Sequence, residues 1–194
     1  MIEPWLDDWW ELIEKSERNL SFDIGANDGE WTKQLSTLFD KVVSFEPDPR
    51  CVAPEGTIYD RRPVWNESKS NVFYQRTSPL QSSMTSSHPV GDAGKNVDVI
   101  NELDVVSITL DDIVDEYGPP GFIKMDIEGA EAQALEGATK DCFSKCHWLV
   151  EIHDTFTPVI QHFQRLGFTE CKVIDHPNPL AAKGHKWIYV QPQE

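Results

Sequence analysis

The stretch LSFDIGANDGEW, residues 20–31, constrains the fold of this chain more than any other part of its sequence. Its first five residues alternate apolar and polar side chains, as in a short strand, and Asp23 lies near the carboxyl end of that strand. Gly25 and Gly29 then bracket a turn, because glycine adopts backbone angles that other residues avoid and lets a ligand approach the main chain closely. Apolar residues at helical spacing follow over residues 31–39. A strand, a glycine turn and a helix in this order predict the nucleotide-binding start of an α/β sheet.

The glycine spacing of this turn argues against a phosphate-binding loop. A dinucleotide fingerprint reads G-x-G-x-x-G, whereas this turn reads D-x-G-x-x-x-G, with Ala26 and Asn27 in the middle and no P-loop lysine. An acid at the strand end repels a phosphate and attracts an ammonium group. The pattern therefore favours S-adenosylmethionine, which carries an amine and no phosphate. An ordinary strand-to-helix turn capped by Asn27 or Asp28 is the alternative.

A second acid follows the next predicted strand, residues 41–46 (KVVSFE). Glu46 lies about 20 residues beyond the glycine turn, where nucleotide-binding α/β folds place an acid that accepts hydrogen bonds from ribose hydroxyls. A carboxylate offers two acceptor oxygens, which suits two neighbouring hydroxyls. Taken alone, Glu46 could be a solvated acid at a strand end. Together with the glycine turn, it is predicted to bind a ribose.

The length of 194 residues predicts a single domain that spans residues 1–194. Within it we expect an N-terminal amphipathic helix in residues 1–19 and the core of the fold in residues 20–194. The helix itself is predicted over residues 4–18, where Pro4 suits the first turn and large apolar side chains share one face. We interpret this helix as a cover for one side of the core. The alternative is that part of it overhangs the ligand site or meets another subunit.

Net charge and cysteine content bear on partners and location. A formal net charge of −16 argues against a nucleic-acid partner, because a protein that follows a phosphate backbone needs a basic surface. The four cysteines lack the spacing of a disulfide framework or a zinc site. No apolar run reaches the length of a membrane span, and the N-terminus lacks a signal-peptide pattern. We therefore expect a cytoplasmic protein with no membrane span. The sequence leaves its oligomeric state undecided.

The middle of the chain departs from a simple alternation of strands and helices. Strands are predicted in residues 57–59 and 71–74, and one or two more in residues 97–108, interrupted by the polar pair 101–102. Residues 78–96 are rich in Ser, Pro and Gly and predict a long loop of the kind that is often functional. Part of this loop could touch a ligand, although a mobile surface loop has the same composition.

The second half of the chain alternates strands and helices. We expect strands over residues 122–127 and 147–153, each followed by a helix, and a helix capped by Thr109 before them. Residues 168–174 and 186–190 predict two further strands, and their connection is too short for a crossover helix, which favours an antiparallel pair. The predicted fold class is α/β, with a mostly parallel central sheet, an antiparallel C-terminal strand and helices on both faces.

Charged residues gather where two of these predicted strands end. Lys124 and Asp126 point to the same face if the strand continues that far, since side chains alternate along a strand. Glu151 and His153 do the same at the end of the next strand. A charged lysine in an apolar strand needs a partner, and Asp126 is the nearest one. The group is either a structural ion pair or a polar cluster beside the reactive end of a bound cofactor.

Four segments resemble, in the same order, the FkbM-type S-adenosylmethionine-dependent methyltransferases. They are residues 23–29 (DIGANDG), 45–47 (FEP), 109–112 (TLDD) and 123–131 (IKMDIEGAE). The run K-x-D-x-E-G-x-E in the last segment is the most specific, whereas many methyltransferases share the glycine turn. The resemblance covers roughly residues 20–170 and implies a Rossmann-like class I methyltransferase domain.

The resemblance also implies which residues hold S-adenosylmethionine. Carried over by position, these are Asp23, Gly25, Asn27 and Gly29 at the methionine end, Glu46 with Pro47 beside it at the ribose, Trp65 and Ser83 near the adenine, and Asp126 beside the sulfonium and the acceptor.

The implied reaction is methyl transfer to oxygen, on a hydroxyl of a sugar or another small metabolite. Sulfonium is already a good leaving group, so the protein chiefly aligns the reactants, and a base near the hydroxyl helps to remove its proton. The candidate catalytic residues are Asp126, His153 and Lys124, the last as a neutral base or as an orienting group. A divalent metal held by Asp126, Glu151 and His153 is an alternative, although no tight metal motif is present.

Other functional classes stay open on the sequence alone. A non-catalytic module that binds S-adenosylmethionine or a nucleotide would carry the same glycine turn. The missing glycine disfavours a nicotinamide-dependent dehydrogenase, and the negative charge disfavours an RNA methyltransferase. Calorimetry with the cofactor, followed by product detection across an acceptor panel, separates a binding module from an enzyme.

Overall fold

The computed structural model describes Ile13 and residues 16–86, 98–175 and 185–192. Its strands are β1 (Leu20–Ile24), β2 (Lys41–Phe45), β3 (Ile58–Asp60), β4 (Ser70–Arg76), β5 (Val99–Val106), β6 (Phe122–Met125), β7 (His147–His153), β8 (Lys172–Asp175) and β9 (His185–Val190). Its helices are α1 (Glu30–Leu35), α2 (Leu110–Tyr117), α3 (Glu131–Glu136) and α4 (Phe156–Arg165). Short 3₁₀ turns occupy Pro79–Gln81 and Asp141–Lys145.

Within the described residues, one sheet of seven strands has the order β3-β2-β1-β6-β7-β9-β8. Neighbouring strands are parallel from β3 across to β7, whereas β9 lies antiparallel to both β7 and β8. The chain moves outward from β1 to β2 and β3, then returns to the other side of β1 with β6. β1 and β6 therefore flank the topological switch point, where open α/β sheets bind their ligands. The predicted mostly parallel sheet with an antiparallel C-terminal pair is confirmed.

Apolar side chains cover both faces of this sheet, as expected for parallel strands buried between helices. One cluster joins β1, β6 and β7 to α2, α3 and α4, and it includes Phe22, Ile123, Trp148, Leu110, Leu135 and Phe163. A second cluster joins the opposite face to α1, and it includes Phe122, Leu149, Leu35 and Phe39. The predicted placement of helices on both faces is thus confirmed.

Several elements are shorter than the sequence pattern predicts. The helix after the glycine turn ends at Leu35, and Leu38 and Phe39 reach the core from the turn that follows it. The strand expected over residues 168–174 begins only at Lys172. Thr109 caps α2 as predicted, because its hydroxyl oxygen accepts a hydrogen bond from the backbone N–H of Asp112 at 3.0 Å.

β4 and β5 form a separate antiparallel pair in place of the helix that a simple doubly wound chain would have here. The prediction that a polar pair interrupts the second strand is wrong, because β5 runs through Asn101 and Glu102. Both side chains are exposed, while Leu103 and Val105 pack against a small apolar cluster under the pair. One face of an antiparallel pair can remain in water, so polar residues need not end the strand.

The predicted N-terminal helix over residues 4–18 lies largely outside the described residues, as does part of the predicted loop over residues 78–96. Ile13 is described; it is helical and buried in the second core cluster. The division into residues 1–19 and 20–194 stays a prediction. In the described part of the chain, no helix has the length and apolar character needed to cross a membrane. The four cysteines are free thiols.

Candidate active site

A pocket opens at the switch point between β1 and β6, with an empty volume of about 620 Å³ that is partly open to solvent. Its walls come from the ends of β1, β2 and β6 and from the segment that follows β4. Six of the residues predicted from the sequence to hold a cofactor lie in these walls: Gly25, Asn27, Glu46, Pro47, Ser83 and Asp126. The remaining wall residues are mostly apolar and include Phe45, Val64, Phe73, Leu80, Met84, Ile127 and Ala130.

The turn after β1 is folded tightly against two neighbouring strands. The backbone N–H groups of Gly25 and Ala26 donate to the carbonyl oxygen of Phe45 at 2.9 and 3.1 Å. Gly25 has a φ of +77°, and a Cβ atom added to it would lie 1.7 Å from the backbone oxygen of Asp126. Only glycine fits this position, because a side chain would collide with main-chain atoms that cannot move aside.

Glu46 is held at the end of β2 by backbone groups on both sides. Its Oε2 accepts a hydrogen bond from the N–H of Asn27 at 3.0 Å, and its Oε1 accepts one from the N–H of Asp48 at 2.7 Å. The residue is 8% exposed, and this burial raises the pKa of its carboxyl group to about 7, against the hydrogen bonds that lower it. Each oxygen keeps a second lone pair, so the carboxylate can still accept hydrogen bonds from a ligand.

The apolar wall of the pocket is anchored to the sheet by Ser83. The Ser83 hydroxyl donates to the carbonyl oxygens of Ile127 at 3.2 Å and Glu128 at 2.9 Å, which ties the segment after β4 to the segment after β6. Phe73, Met84 and Ala130 pack together next to this contact. Trp65, predicted to lie near an adenine, packs behind this group and is not part of the pocket wall.

Asp23 lies behind the pocket, not in its wall. It is completely buried; its Oδ2 accepts a hydrogen bond from the Thr32 hydroxyl at 2.6 Å, and its Oδ1 lies 3.4 Å from Nζ of Lys124. An acid at this strand end was expected to attract the ammonium group of a ligand. The ammonium group that Asp23 faces in the structure is that of Lys124. Gly29 also lies outside the wall, where it precedes α1 and packs against Pro54.

Lys124 connects Asp23 to the pocket. Its ammonium group donates to the carbonyl oxygen of Gly25 at 2.9 Å and lies 3.6 Å from Oδ2 of Asp126. Burial by itself lowers the pKa of Lys124, but Asp23, Asp126 and Glu151 outweigh it and raise the pKa above its ordinary value. Lys124 is thus protonated at neutral pH, which supports an orienting role and argues against a neutral base.

His153, the third predicted catalytic residue, lies behind Asp126 and is 1% exposed. Its Nδ1 lies 2.8 Å from Oε1 of Glu131, and its Nε2 faces Asp126, Glu128 and Glu151 at 3.8, 3.7 and 3.7 Å. We call Asp126, Glu128, Glu131, Glu151 and His153 the acid–histidine cluster. Asp126, Glu151 and His153, named from the sequence as possible metal ligands, thus all belong to this cluster. Their ligand atoms do not form one group within 4.8 Å, however; in the described part of the chain such groups pair His153 either with Asp126 and Glu128 or with Glu151 and His185.

Ionisation in the acid–histidine cluster is strongly perturbed. Burial raises the pKa of Glu151 well above its ordinary value, and the neighbouring Asp126 adds to this effect. Burial also acts to raise the pKa of Glu131, but His153 and Thr155 outweigh it and lower that pKa. Perturbed groups of this kind concentrate at functional sites.

Two residues in or beside the acid–histidine cluster, Glu131 and His185, were not predicted from the sequence. Glu131 stands in the E-G-x-E run that was read for the resemblance, but nothing in the run shows that it binds His153. His185 on β9 lies directly across from His153 in the antiparallel register, with its ring centroid 4.6 Å away. Neither contact has a signal in the sequence, because each depends on how separate elements pack.

Three comparisons with known proteins agree with this architecture. The profile of the Methyltransferase FkbM domain matches residues 23–170, which hold the glycine turn, the pocket and the acid–histidine cluster. The hexuronic acid methyltransferase AglP of Haloferax volcanii is 28% identical over 158 residues, and the match covers 76% of this chain and 61% of that protein. The chain thus spans less than two thirds of the length of this relative.

Among solved structures, the precorrin-6y C5,15-methyltransferase of Geobacter metallireducens shares the fold. The TM-score is 0.51 at 10% sequence identity, and the likeness covers 100% of this chain and 90% of that one. At this identity the likeness extends to the fold alone.

Proposed function

Because this chain belongs to the FkbM family of S-adenosylmethionine-dependent methyltransferases, we propose that it transfers a methyl group from that donor to a hydroxyl oxygen of a sugar or another small metabolite. One observation supports the proposal above all, namely the form of the pocket at the switch point. One end combines an apolar wall with the buried carboxylate of Glu46, and the other end is acidic. An adenosyl group needs the first two features, and an oxygen nucleophile needs the third.

The pocket residues fit the donor in their chemistry. The carboxylate of Glu46 can accept hydrogen bonds from two adjacent ribose hydroxyls, and Pro47, Phe73 and Met84 offer an apolar surface for a purine ring. The methionine end would lie beside the Gly25 turn and Asp126, where the negative charge of the carboxylate favours a positively charged group.

The donor supplies a methyl group on a positively charged sulfur, which is already reactive. The chain contributes alignment, exclusion of water and a place for the acceptor's proton. In our proposal Asp126 accepts the proton of the acceptor hydroxyl. The oxygen forms its bond to the methyl carbon with the electron pair this releases, and the bond from that carbon to sulfur breaks, with sulfur keeping the pair. Lys124 orients Asp126 and stays charged throughout.

A sugar-like acceptor is supported by the relative described as a hexuronic acid methyltransferase. The first acceptor panel should therefore contain hexoses, hexuronic acids and their glycosides, with simple alcohols as a comparison. Methyl transfer is followed with donor that carries an isotopic label in the methyl group, and the product is located by mass spectrometry.

The substitution Asp126→Asn tests the catalytic role. It keeps the size of the side chain but removes the proton acceptor, so we expect kcat to fall by about 100-fold or more. The Kd of the donor, measured by calorimetry, should rise far less, by up to about tenfold, because the substitution removes a charge that faces the sulfonium but leaves the rest of the pocket in place. An unchanged kcat would place the proton acceptor elsewhere.

The competing function is a module that binds the donor without transferring its methyl group. Calorimetry with S-adenosylmethionine and with its demethylated product establishes binding, and the acceptor panel establishes transfer. Binding of both compounds with no labelled product from any acceptor class would favour the module.

A further inference from the structure

The acid–histidine cluster has the organisation of a metal site. We propose that Asp126, Glu128 and His153 bind a divalent transition-metal ion, Mn²⁺ or Zn²⁺, at the inner end of the pocket, where the ion also contacts the acceptor hydroxyl. This inference rests on the proposed methyl transfer for its role, but the metal site itself is argued from geometry.

The first argument is the orientation of His153. Glu131, which is completely buried, fixes Nδ1 of the imidazole at 2.8 Å and is itself held by the Thr155 hydroxyl at 2.7 Å and the Gly129 N–H at 2.9 Å. A carboxylate on one ring nitrogen is the arrangement that aims the other nitrogen at a metal ion and sets its tautomer. Here the aimed nitrogen is Nε2.

The second argument is what Nε2 of His153 faces. Oxygens of Asp126, Glu128 and Glu151 surround it at 3.8, 3.7 and 3.7 Å. These separations are too long for hydrogen bonds. The side chain of His153 is 1% exposed, and its Nε2 thus lies within ion-pair distance of three carboxyl oxygens but makes a hydrogen bond to none of them.

The third argument is the size of this space. One ligand atom each from Asp126, Glu128 and His153 lie within 4.8 Å of one another. An ion with bonds of about 2.1 Å separates adjacent ligand atoms by roughly 3 Å and opposite ones by roughly 4 Å. Small rotations of two side chains therefore close the site around an ion without movement of the strands.

Charge points the same way. Four carboxyl groups, from Asp126, Glu128, Glu131 and Glu151, converge on one imidazole, and the ammonium of Lys124 is shared between Asp126 and Asp23. Buried carboxylates at this density are stabilised by pairing or by coordination to a metal. A divalent ion bound to neutral His153 would add two positive charges to this acid-rich end of the pocket.

A second set of residues, Glu151, His153 and His185, also has ligand atoms within 4.8 Å. Both sets include His153, and because Glu131 holds its Nδ1, only Nε2 is left to bind an ion, so only one set can hold an ion at a time. Asp126 and Glu128 line the pocket, and their side chains are 26% and 18% exposed, which leaves positions on the ion for water and substrate. Glu151 and His185 are not pocket wall residues. A catalytic ion needs such an open position, which selects the first set.

The donor atoms also select the class of ion. Imidazole nitrogen favours Zn²⁺ and other first-row transition ions, while carboxylates suit Mn²⁺ as well, and Mg²⁺ and Ca²⁺ prefer all-oxygen sites. An ion here would lower the pKa of a bound hydroxyl and hold it beside the methyl donor. One oxygen of Asp126 would bind the ion while the other accepts the hydroxyl proton.

The test measures metal binding on the full chain, without donor or acceptor. Protein stripped with a chelator is titrated with Mn²⁺, and the free ion is followed by electron paramagnetic resonance; Zn²⁺ is followed by calorimetry. We expect one saturable site per chain. Glu128→Gln should weaken binding by about tenfold or more, since it removes a ligand from a partly exposed position. Asp154→Asn is the matched control, because it changes an exposed acid of the adjacent loop outside both sets, and should bind as the original protein does.

His185→Gln separates the two sets of ligands. Binding kept in His185→Gln and lost in Glu128→Gln supports the pocket-facing site, whereas the reverse pattern overturns it. Absence of a saturable site for either ion in the original protein overturns the proposal altogether, as does equal affinity in Glu128→Gln and Asp154→Asn. Circular dichroism and donor binding confirm that each variant is folded. Since the binding experiment needs no methyl transfer, a failure of the proposed reaction and a failure of the metal site give different results.

Discussion

At the scale of single residues, Glu46 makes donor binding depend on pH. Burial raises its pKa to about 7, so the carboxyl group is half protonated near neutrality. A protonated carboxyl has lost acceptor capacity for the ribose hydroxyls. We expect the Kd of S-adenosylmethionine, measured by calorimetry, to rise as the pH falls from 8 to 6, by up to about tenfold per pH unit below the pKa. Glu46→Gln should bind weakly and without this pH dependence; an equally steep profile in that variant would assign the titration to another group.

Glu46 also affects stability, in the opposite direction to its effect on binding. The pKa of about 7 in the folded protein lies above the ordinary value of 4.5, so between these values the folded chain binds more protons than the unfolded chain. The contribution of Glu46 to the free energy of unfolding is therefore most favourable at low pH and falls as the pH rises towards 7.

Glu46→Gln removes this titration but also loses one of the two backbone hydrogen bonds to Glu46 at every pH, since an amide NH2 cannot accept one. We accordingly expect the change in the free energy of unfolding caused by Glu46→Gln to be more favourable at pH 8 than at pH 4, by up to about 3 kcal/mol. Urea unfolding at the two pH values measures this difference. An equal change in the free energy of unfolding at the two pH values would show that the ionised carboxylate is better stabilised than its burial indicates.

Lys124 shows where prediction from sequence stops at this scale. The expected alternation of side chains correctly paired it with Asp126, two positions along the chain and one residue beyond the end of β6. Its second partner, Asp23, lies directly across from it on β1, in a register that pairs Asp23 with Lys124. Strand register depends on the packing of whole strands, so this contact, and with it the buried position of Asp23, could not be predicted.

At the scale of elements, the junction of β1 and β6 depends on Gly25. A Cβ atom there would lie 1.7 Å from the backbone oxygen of Asp126, in a residue with a φ of +77°. Gly25→Ala should lower the free energy of unfolding by about 3 kcal/mol or more, because strain and a main-chain collision act together. It should also abolish donor binding, since the turn is part of the pocket wall.

Gly56 offers a matched control for this prediction. Its φ is +78°, but a Cβ atom would have no neighbour within 4 Å. Gly56→Ala should therefore lower the free energy of unfolding by only about 1–2 kcal/mol, from backbone strain alone, and leave donor binding intact. Equal losses in urea unfolding for the two variants would mean that the collision at Gly25 is relieved by a small shift.

Elements with a regular local pattern were predicted well. The alternation in β1, the apolar run of β7 and the cap at Thr109 all reflect rules that act over a few residues. The end of α1 at Leu35 was not predicted, because Leu38 and Phe39 reach the core equally well from a turn. The continuous strand β5 was missed for a related reason: its exposed face tolerates polar residues that look like an interruption.

At the scale of the whole molecule, the net charge of −16 opposes folding through repulsion among acids. Salt screens this repulsion over a length of about 10 Å at 0.1 M. We expect the Tm to rise as sodium chloride is increased to 0.5 M. Each 1 kcal/mol that screening adds to the free energy of unfolding should raise the Tm by roughly 2–4 °C. Differential scanning calorimetry measures the rise; a Tm that falls with salt would show that attractive ion pairs outweigh the repulsion.

The site as a whole was predictable only in part. The glycine turn and Glu46 were found because they follow strands that the sequence marks clearly, and both lie in the pocket. The acid–histidine cluster draws on the segment after β6, on α3 and on β7, with His185 from β9 close by. Its assembly depends on the sheet order, in which β7 lies next to β6, and local patterns carry no information on that order.

The antiparallel pair of β4 and β5 has a consequence for how such a molecule can diversify. It stands outside the seven-stranded sheet, yet Phe73 on β4 and Leu80, Ser83 and Met84 just after it form one side of the pocket. The β4–β5 hairpin and the segment after β4 can therefore change in length or sequence while the glycine turn and the acidic residues on the opposite side of the pocket keep their positions. Grafting this hairpin between homologues would be a direct way to engineer which molecule is modified, with the transfer chemistry left untouched.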